Sequence, residues 1–177
     1  LYMLLELCPG GDLFSRLDEE RHFDDDTSRF YISQCVLGLE ALHRGSVRGP
    51  TSGRDMYLHR DIKPENFMLA DPGPIERTTL KLLDFGCAKD FSKISPGTMS
   101  TPVGTSTYMA PQVYARKYDH TCDCWSLGVT MYLLLSGGQP FEADTDEELL
   151  KKIQSGKFEF PAENFKHVSE DAINLIK

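Results

Sequence analysis

The apolar positions of this chain follow several periods, and each period predicts a different element. Residues 1–7 form an almost continuous apolar run broken by one acid, short enough for a strand. Pro9-Gly10-Gly11 ends it, and Asp12 is placed to cap a short helix reaching residue 17 or so. Asp24, Asp25 and Asp26 then sit where a helix N-terminus favours negative charge. The helix after them carries Phe30, Tyr31, Cys35, Val36, Leu39 and Leu42 on a broad apolar face, the mark of deep burial. The apolar runs 66–70 and 79–83 flank Asp71-Pro72-Gly73-Pro74 and predict a β-hairpin with a longer loop. Residues 125–135 are apolar nearly all round, as in a helix at the centre of a domain. Thr145 is placed to cap a helix through Gln154, with Gly156 just past its end, and Ser169 to cap a last one. The expected fold class is α+β, mainly helical, with short β-hairpins.

Two stretches lack such a pattern. Residues 44–55, RGSVRGPTSGRD, hold three Arg, three Gly and one Pro, and read as an exposed loop of 44–56 rather than a basic docking site. Residues 92–106 are rich in Ser, Thr, Gly and Pro and read as a mobile loop.

Composition narrows the function. The chain has 177 residues, 40% apolar and 26% charged, a globular balance that argues against disorder or a fibre. A net charge of −8 argues against nucleic acid as a partner, because phosphate neutralisation needs clustered Lys and Arg. The most apolar stretch, 127–135, is about half of what a bilayer span needs. Leu1 in place of Met, and a helical pattern still running at Lys177, lead us to expect a fragment. Five cysteines, an odd number without a Cys-x-x-Cys pair, fit a reducing intracellular (cytoplasmic) compartment better than a disulfide framework. His120, Cys122 and Cys124 could suggest zinc, but a fourth ligand is missing and the start of a buried helix explains them better.

Four short stretches carry the candidate chemistry. His59-Arg60-Asp61-Ile62-Lys63-Pro64-Glu65-Asn66 is the first. Asp84-Phe85-Gly86 follows the second hairpin strand. Ala110-Pro111-Gln112 and Asp123-Cys124-Trp125-Ser126-Leu127-Gly128 complete the set. In this order and at these spacings they resemble the catalytic loop, the metal-binding turn, the end of the activation segment and the central helix of protein kinases. The resemblance covers the whole chain, from the hinge strand to a late helix of the C-terminal lobe. The N-terminal lobe, with its glycine-rich loop and strand lysine, would precede Leu1. The resemblance therefore implies a partial kinase domain over 1–177, whose ATP site has a floor and no roof.

The resemblance implies a role for each matching residue. Asp61 would accept the proton of the substrate hydroxyl, and Lys63 would place a positive charge by the transferring phosphoryl group. Asn66 and Asp84 would hold Mg²⁺, which prefers hard oxygen ligands. Phe85 would pack and Gly86 would let the chain turn. Lys63 and Thr105 match the Ser/Thr rather than the tyrosine kinases. Glu6 C=O and Cys8 N–H would receive the adenine of ATP beside a gatekeeper Leu5, with Met68 beneath the ring. Asp12 and Glu65 would favour protein substrates with upstream Arg. Arg60 would receive a phosphate on the activation segment, with Thr101 as the acceptor and Ser100 and Thr98 behind it.

The hinge residues 7–14, the helix start at 122–129 and Gly156-Lys157-Phe158-Glu159-Phe160 are most similar to calcium/calmodulin-dependent and calcium-dependent protein kinases, the apicomplexan ones included. Gln112 stands where the family usually has Glu. A calcium sensor would lie outside this chain, since Asp144-Thr145-Asp146 lacks the glycine and glutamate of an EF-hand loop. The alternative is a pseudokinase or scaffold module, or an inactive truncated fragment. Asp61, Lys63, Asn66 and Asp84 are all present, which argues for the enzyme.

Overall fold

The computed structural model describes residues 2–45, 56–74, 77–92 and 99–177. Asp12 caps the first helix, α1 (Leu13–Glu20), by accepting the Ser15 N–H at 2.7 Å. Leu13 and Leu17, one turn apart, are its buried residues. Asp24 caps α2 (Asp25–His43) by accepting the Thr27 N–H at 2.8 Å, with Asp25 and Asp26 in the first turn. The buried residues of α2 include Tyr31, Ile32, Cys35, Leu39 and Leu42. Val36 departs from the expected face and is 47% exposed, because the buried stripe runs through Tyr31, Ile32, Cys35, Leu39 and Leu42 and Val36 lies beyond its edge.

Four short strands follow. The strand β1 (Tyr57–Leu58) precedes the catalytic-loop sequence, and β2 (Phe67–Leu69) follows it. The third, β3 (Leu80–Leu82), pairs antiparallel with β2 and forms the expected hairpin. The fourth, β4 (Lys89–Asp90), returns to β1 and pairs with it. The two pairs bracket the catalytic loop on one side and Asp84-Phe85-Gly86 on the other. Residues 2–7 are in no ladder among the described residues, contrary to the expected strand, and Tyr2, Leu4 and Leu7 are exposed. A strand exists only through pairing, and the chain first joins the hairpin at Gly10 N–H→Leu69 O (3.1 Å) and Leu69 N–H→Gly11 O (2.8 Å).

The remaining elements are helical: α3 (Pro111–Tyr114), α4 (Thr121–Ser136), α5 (Asp146–Ser155), α6 (Ala162–Phe165) and α7 (Glu170–Ile176). Twelve of the sixteen residues of α4 are buried, so this helix is the spine of the core. Its polar residues are satisfied locally: Thr130 Oγ1 donates to Ser126 O and Ser136 Oγ to Tyr132 O. Around it pack α2, the β2–β3 hairpin, α6 and α7, in one main core cluster. Thr145 caps α5 and Ser169 caps α7, as their spacing predicts, so the acids at 144–146 are a helix start. No helix among the described residues is long and apolar enough to cross a membrane.

Most of the basic stretch 44–56 lies outside the described residues; Arg44 ends α2. Of the stretch 92–106, residues 93–98 also lie outside them, Thr98 included. From residue 99 the chain is pinned, since Met99 is buried and bridges to Tyr118. The expectation of a loose loop fails there because backbone pairing and burial outweigh a polar, turn-rich composition. Cys122 is buried in a satellite core, Cys124 is exposed, and His120 stacks on Phe91 with ring centroids 5.6 Å apart.

Candidate active site

Asp61 lies between β1 and β2, and four donors converge on its carboxylate. Thr105 gives its N–H at 3.0 Å and its hydroxyl at 2.8 Å to Oδ1. Lys63 Nζ is 3.2 Å from Oδ2, and Asn66 Nδ2 reaches Oδ2 at 3.2 Å and the Asp61 carbonyl at 2.7 Å. Lys63 Nζ also donates to Thr105 Oγ1 at 2.8 Å, so the hydroxyl links lysine to aspartate. Burial pushes the Asp61 carboxyl upward. The hydrogen bonds from Thr105, Lys63 and Asn66, with the Lys63 charge, outweigh it and hold the group below its ordinary value. Asp61 is therefore an anion at neutral pH.

The loop that carries Asp61 is held from below by a buried charge. Asp123, on the first turn of α4, is wholly buried. Its oxygens accept His59 N–H at 2.9 Å, Arg60 N–H at 2.8 Å and His43 Nε2 at 2.8 Å. These bonds fix Arg60 in the left-handed region, at φ 67°. His59 Nε2 donates to Leu83 O at 2.9 Å, which leaves Nδ1 to face the Asp61 N–H at 3.4 Å. The Asp123 motif is visible in the sequence, but its partner His43 carries no motif signal.

Asp84 follows β3 at φ 59°, and one of its oxygens accepts the Gly86 N–H at 3.1 Å. Leu83 N–H donates to Asn66 O at 2.9 Å, so Asp84 leaves the hairpin beside Asn66. The Asn66 amide nitrogen is engaged by Asp61, and its Oδ1 is the atom available to a cation. An exposed carboxylate and an amide oxygen are hard donors and fit Mg²⁺. Phe85 is half exposed and meets His59 edge-on at 5.2 Å, so it packs less than expected.

The other expected site residues are placed as follows. Cys8 is buried, and the exposed Glu6 pairs with Lys81 at 3.3 Å. Asp12 bridges to Met68, which puts the hinge against the hairpin, while its carboxylate caps α1. Glu65 is exposed; burial and then the Glu65 charge together push Tyr108 up to about 12. Arg60 Nε donates to Cys87 O at 2.6 Å, and Thr101 is exposed.

The protein kinase domain model matches residues 1–177. The chain belongs to the protein kinase domain family. It is 36% identical over 177 residues to calcium-dependent protein kinase 3 of Plasmodium berghei, covering all of this chain and 30% of that protein. It is 34% identical over 176 residues to calcium-dependent protein kinase 4 of Plasmodium falciparum, covering 99% of this chain and 31% of the relative. For calcium-dependent protein kinase 5 of the same species the identity is 35% over 176 residues, covering 99% and 28%. The chain thus spans about three tenths of the length of these curated relatives. The fold matches the mainly helical C-terminal lobe of the family, with only two-stranded sheets among the described residues.

Proposed function

We propose that the protein carrying this chain is a serine/threonine kinase, transferring the γ-phosphoryl group of ATP to Ser or Thr hydroxyls of protein substrates. One observation carries the reading: Thr105, Lys63 and Asn66 converge on the Asp61 carboxylate. An anion so held has a fixed orientation and can take up a proton. The substrate oxygen attacks phosphorus, its proton passes to Asp61, and the bond to the bridging oxygen of ADP breaks. Lys63 stands beside Asp61 and neutralises charge on the incoming phosphoryl oxygens. Asn66 and Asp84 would hold Mg²⁺, which on binding supplies positive charge at the phosphate oxygens.

The hinge completes the nucleotide reading: the Glu6 carbonyl and the Cys8 N–H would receive adenine, and Met68, paired with Asp12 in a β-bridge, would lie beneath the ring. Two acids, Asp12 and Glu65, favour substrates with upstream basic residues. The names of the relatives support calcium control, through a sensor region outside this chain. Five unpaired thiols support a reducing, cytoplasmic setting.

The test uses the intact protein, labelled ATP, Mg²⁺ and a serine peptide with upstream arginine, with and without calcium. Wild type should transfer phosphate, and Asp61→Asn should lower kcat by about 10²- to 10⁴-fold. No transfer by wild type, or equal transfer by Asp61→Asn, would overturn the reading.

A further inference from the structure

Tyr118 belongs to none of the four motifs, yet it lies between two of them. It is 2% exposed, its N–H donates to Met99 O at 3.3 Å, and Met99 pairs with it in a β-bridge. Its hydroxyl accepts from Arg60 Nη1 at 3.1 Å and donates to Thr101 O at 2.6 Å. A phenol has one proton to give, and here that proton goes to the activation segment while a lone pair takes the arginine. Arg60 is thereby engaged at both ends of its guanidinium, with Nε on Cys87 O at 2.6 Å.

The segment after Thr101 is short and leads directly to Asp61. Thr101 O is anchored by Tyr118, and four residues later Thr105 gives both its donors to the Asp61 carboxylate. Between them Gly104, at φ +118°, passes so close to Arg60 O that a Cβ would stand 2.5 Å from it. The strap is therefore fastened twice, once at Tyr118 and once at Asp61.

We propose that Tyr118 is a positioning residue that holds residues 99–105 against the catalytic loop when Thr101 carries no phosphate. The inference rests on the kinase reading above for its catalytic consequence. It assigns to a neutral hydroxyl the Arg60 donor that a phosphate would otherwise claim. A phosphate on Thr101 would compete for that donor with stronger, charge-assisted bonds. The dependence of catalysis on Tyr118 is therefore greatest in the unphosphorylated protein.

The test compares wild type, Tyr118→Phe, Arg60→Ala and the double variant in the intact protein. Phosphatase treatment, checked by mass spectrometry, removes phosphate first. Hydrogen exchange of peptides covering 99–105 is read alongside kcat and the KM for ATP. Tyr118→Phe keeps the ring and the packing. It should exchange faster over 99–105 and lose about tenfold in kcat, the size of a hydrogen bond to a charged group, with KM for ATP unchanged. In the Arg60→Ala background it should still add to both readouts through the lost Thr101 bond, but by less, because the Arg60 link is already gone. Unchanged exchange in Tyr118→Phe overturns the proposal, and so does the same loss with and without Arg60, since the Arg60 link would then contribute nothing. If Tyr118→Phe fails to fold, exchange in Arg60→Ala decides: faster exchange over 99–105 supports the strap, and unchanged exchange overturns it. If wild type shows no transfer, the kinase reading fails, and the exchange comparison still decides the strap.

Discussion

Thr105→Ala removes one hydroxyl and two hydrogen bonds, each of 2.8 Å: one received from Lys63 Nζ and one given to Asp61 Oδ1. The Thr105 N–H to Asp61 survives, so the carboxylate keeps part of its orientation. A hydrogen bond to a charged group contributes about 1.5–3 kcal/mol. The side chains of Asp61 and Lys63 are only 11% and 20% exposed, so water replaces the lost hydroxyl incompletely. Taking one such bond as the net loss gives roughly a 10- to 150-fold fall in kcat at pH 7. Thr105→Ser keeps the hydroxyl and should recover most of it. The pH profile gives a second reading. Asp61 is depressed in the folded protein, so its contribution is present above the unfolded carboxylate value of about 3.9 and is lost as pH falls through the folded value. Wild-type kcat should therefore show no acid limb from Asp61 above about pH 4. Loss of the Thr105 hydroxyl removes one of the interactions that depress Asp61, so the acid limb moves to higher pH in Thr105→Ala and stays in Thr105→Ser. The assay is steady-state transfer by the intact protein between pH 4 and 8, with kcat and KM separated. Wild-type kcat and an unmoved pH profile in Thr105→Ala would refute the claim that this hydroxyl orders the base.

Gly104→Ala places a methyl group 2.5 Å from Arg60 O at φ +118°, so the strap must shift. Transfer should fall at least tenfold (roughly 1.4 kcal/mol or more) while the melting temperature moves only a few degrees, read by a peptide assay and calorimetry together. Asp24→Ala removes the cap of α2, at a cost of about 1 kcal/mol at neutral pH. Asp24 is depressed by the Thr27 backbone bond and then by its side chain, against a small opposing effect of burial. Its stabilisation is thus full above the unfolded value and vanishes as pH falls through the folded one. The difference in melting temperature between wild type and variant should narrow below about pH 4 and close once the pH is below the folded value. A difference that persists there would refute the capping account.

Helix caps were readable because they depend on neighbours in sequence: Asp12, Asp24, Thr145 and Ser169 each bind an N–H three residues on. The β2–β3 hairpin was readable for the same reason, since one turn-rich loop joins its strands. The catalytic loop was legible as a string, because its residue types and spacing are set by chemistry that tolerates few alternatives. What the string leaves open is every contact between distant segments. The run 2–7 has the composition of a strand but no ladder, because a strand is defined by its partner. The polar, turn-rich residues 99–106 are held because Met99 meets Tyr118 and Thr105 meets Asp61, 19 and 44 positions away. His43 and Tyr118 carry no signal in their own neighbourhoods. Each acquires its place only when α2, α4 and the segment before α4 pack together around the buried carboxylate of Asp123 and the guanidinium of Arg60. Local hydrogen bonds and periodicity thus determine the elements and the candidate chemistry. The tertiary structure decides which donors reach which acceptors, because a buried polar group must find a partner wherever the fold brings one within reach.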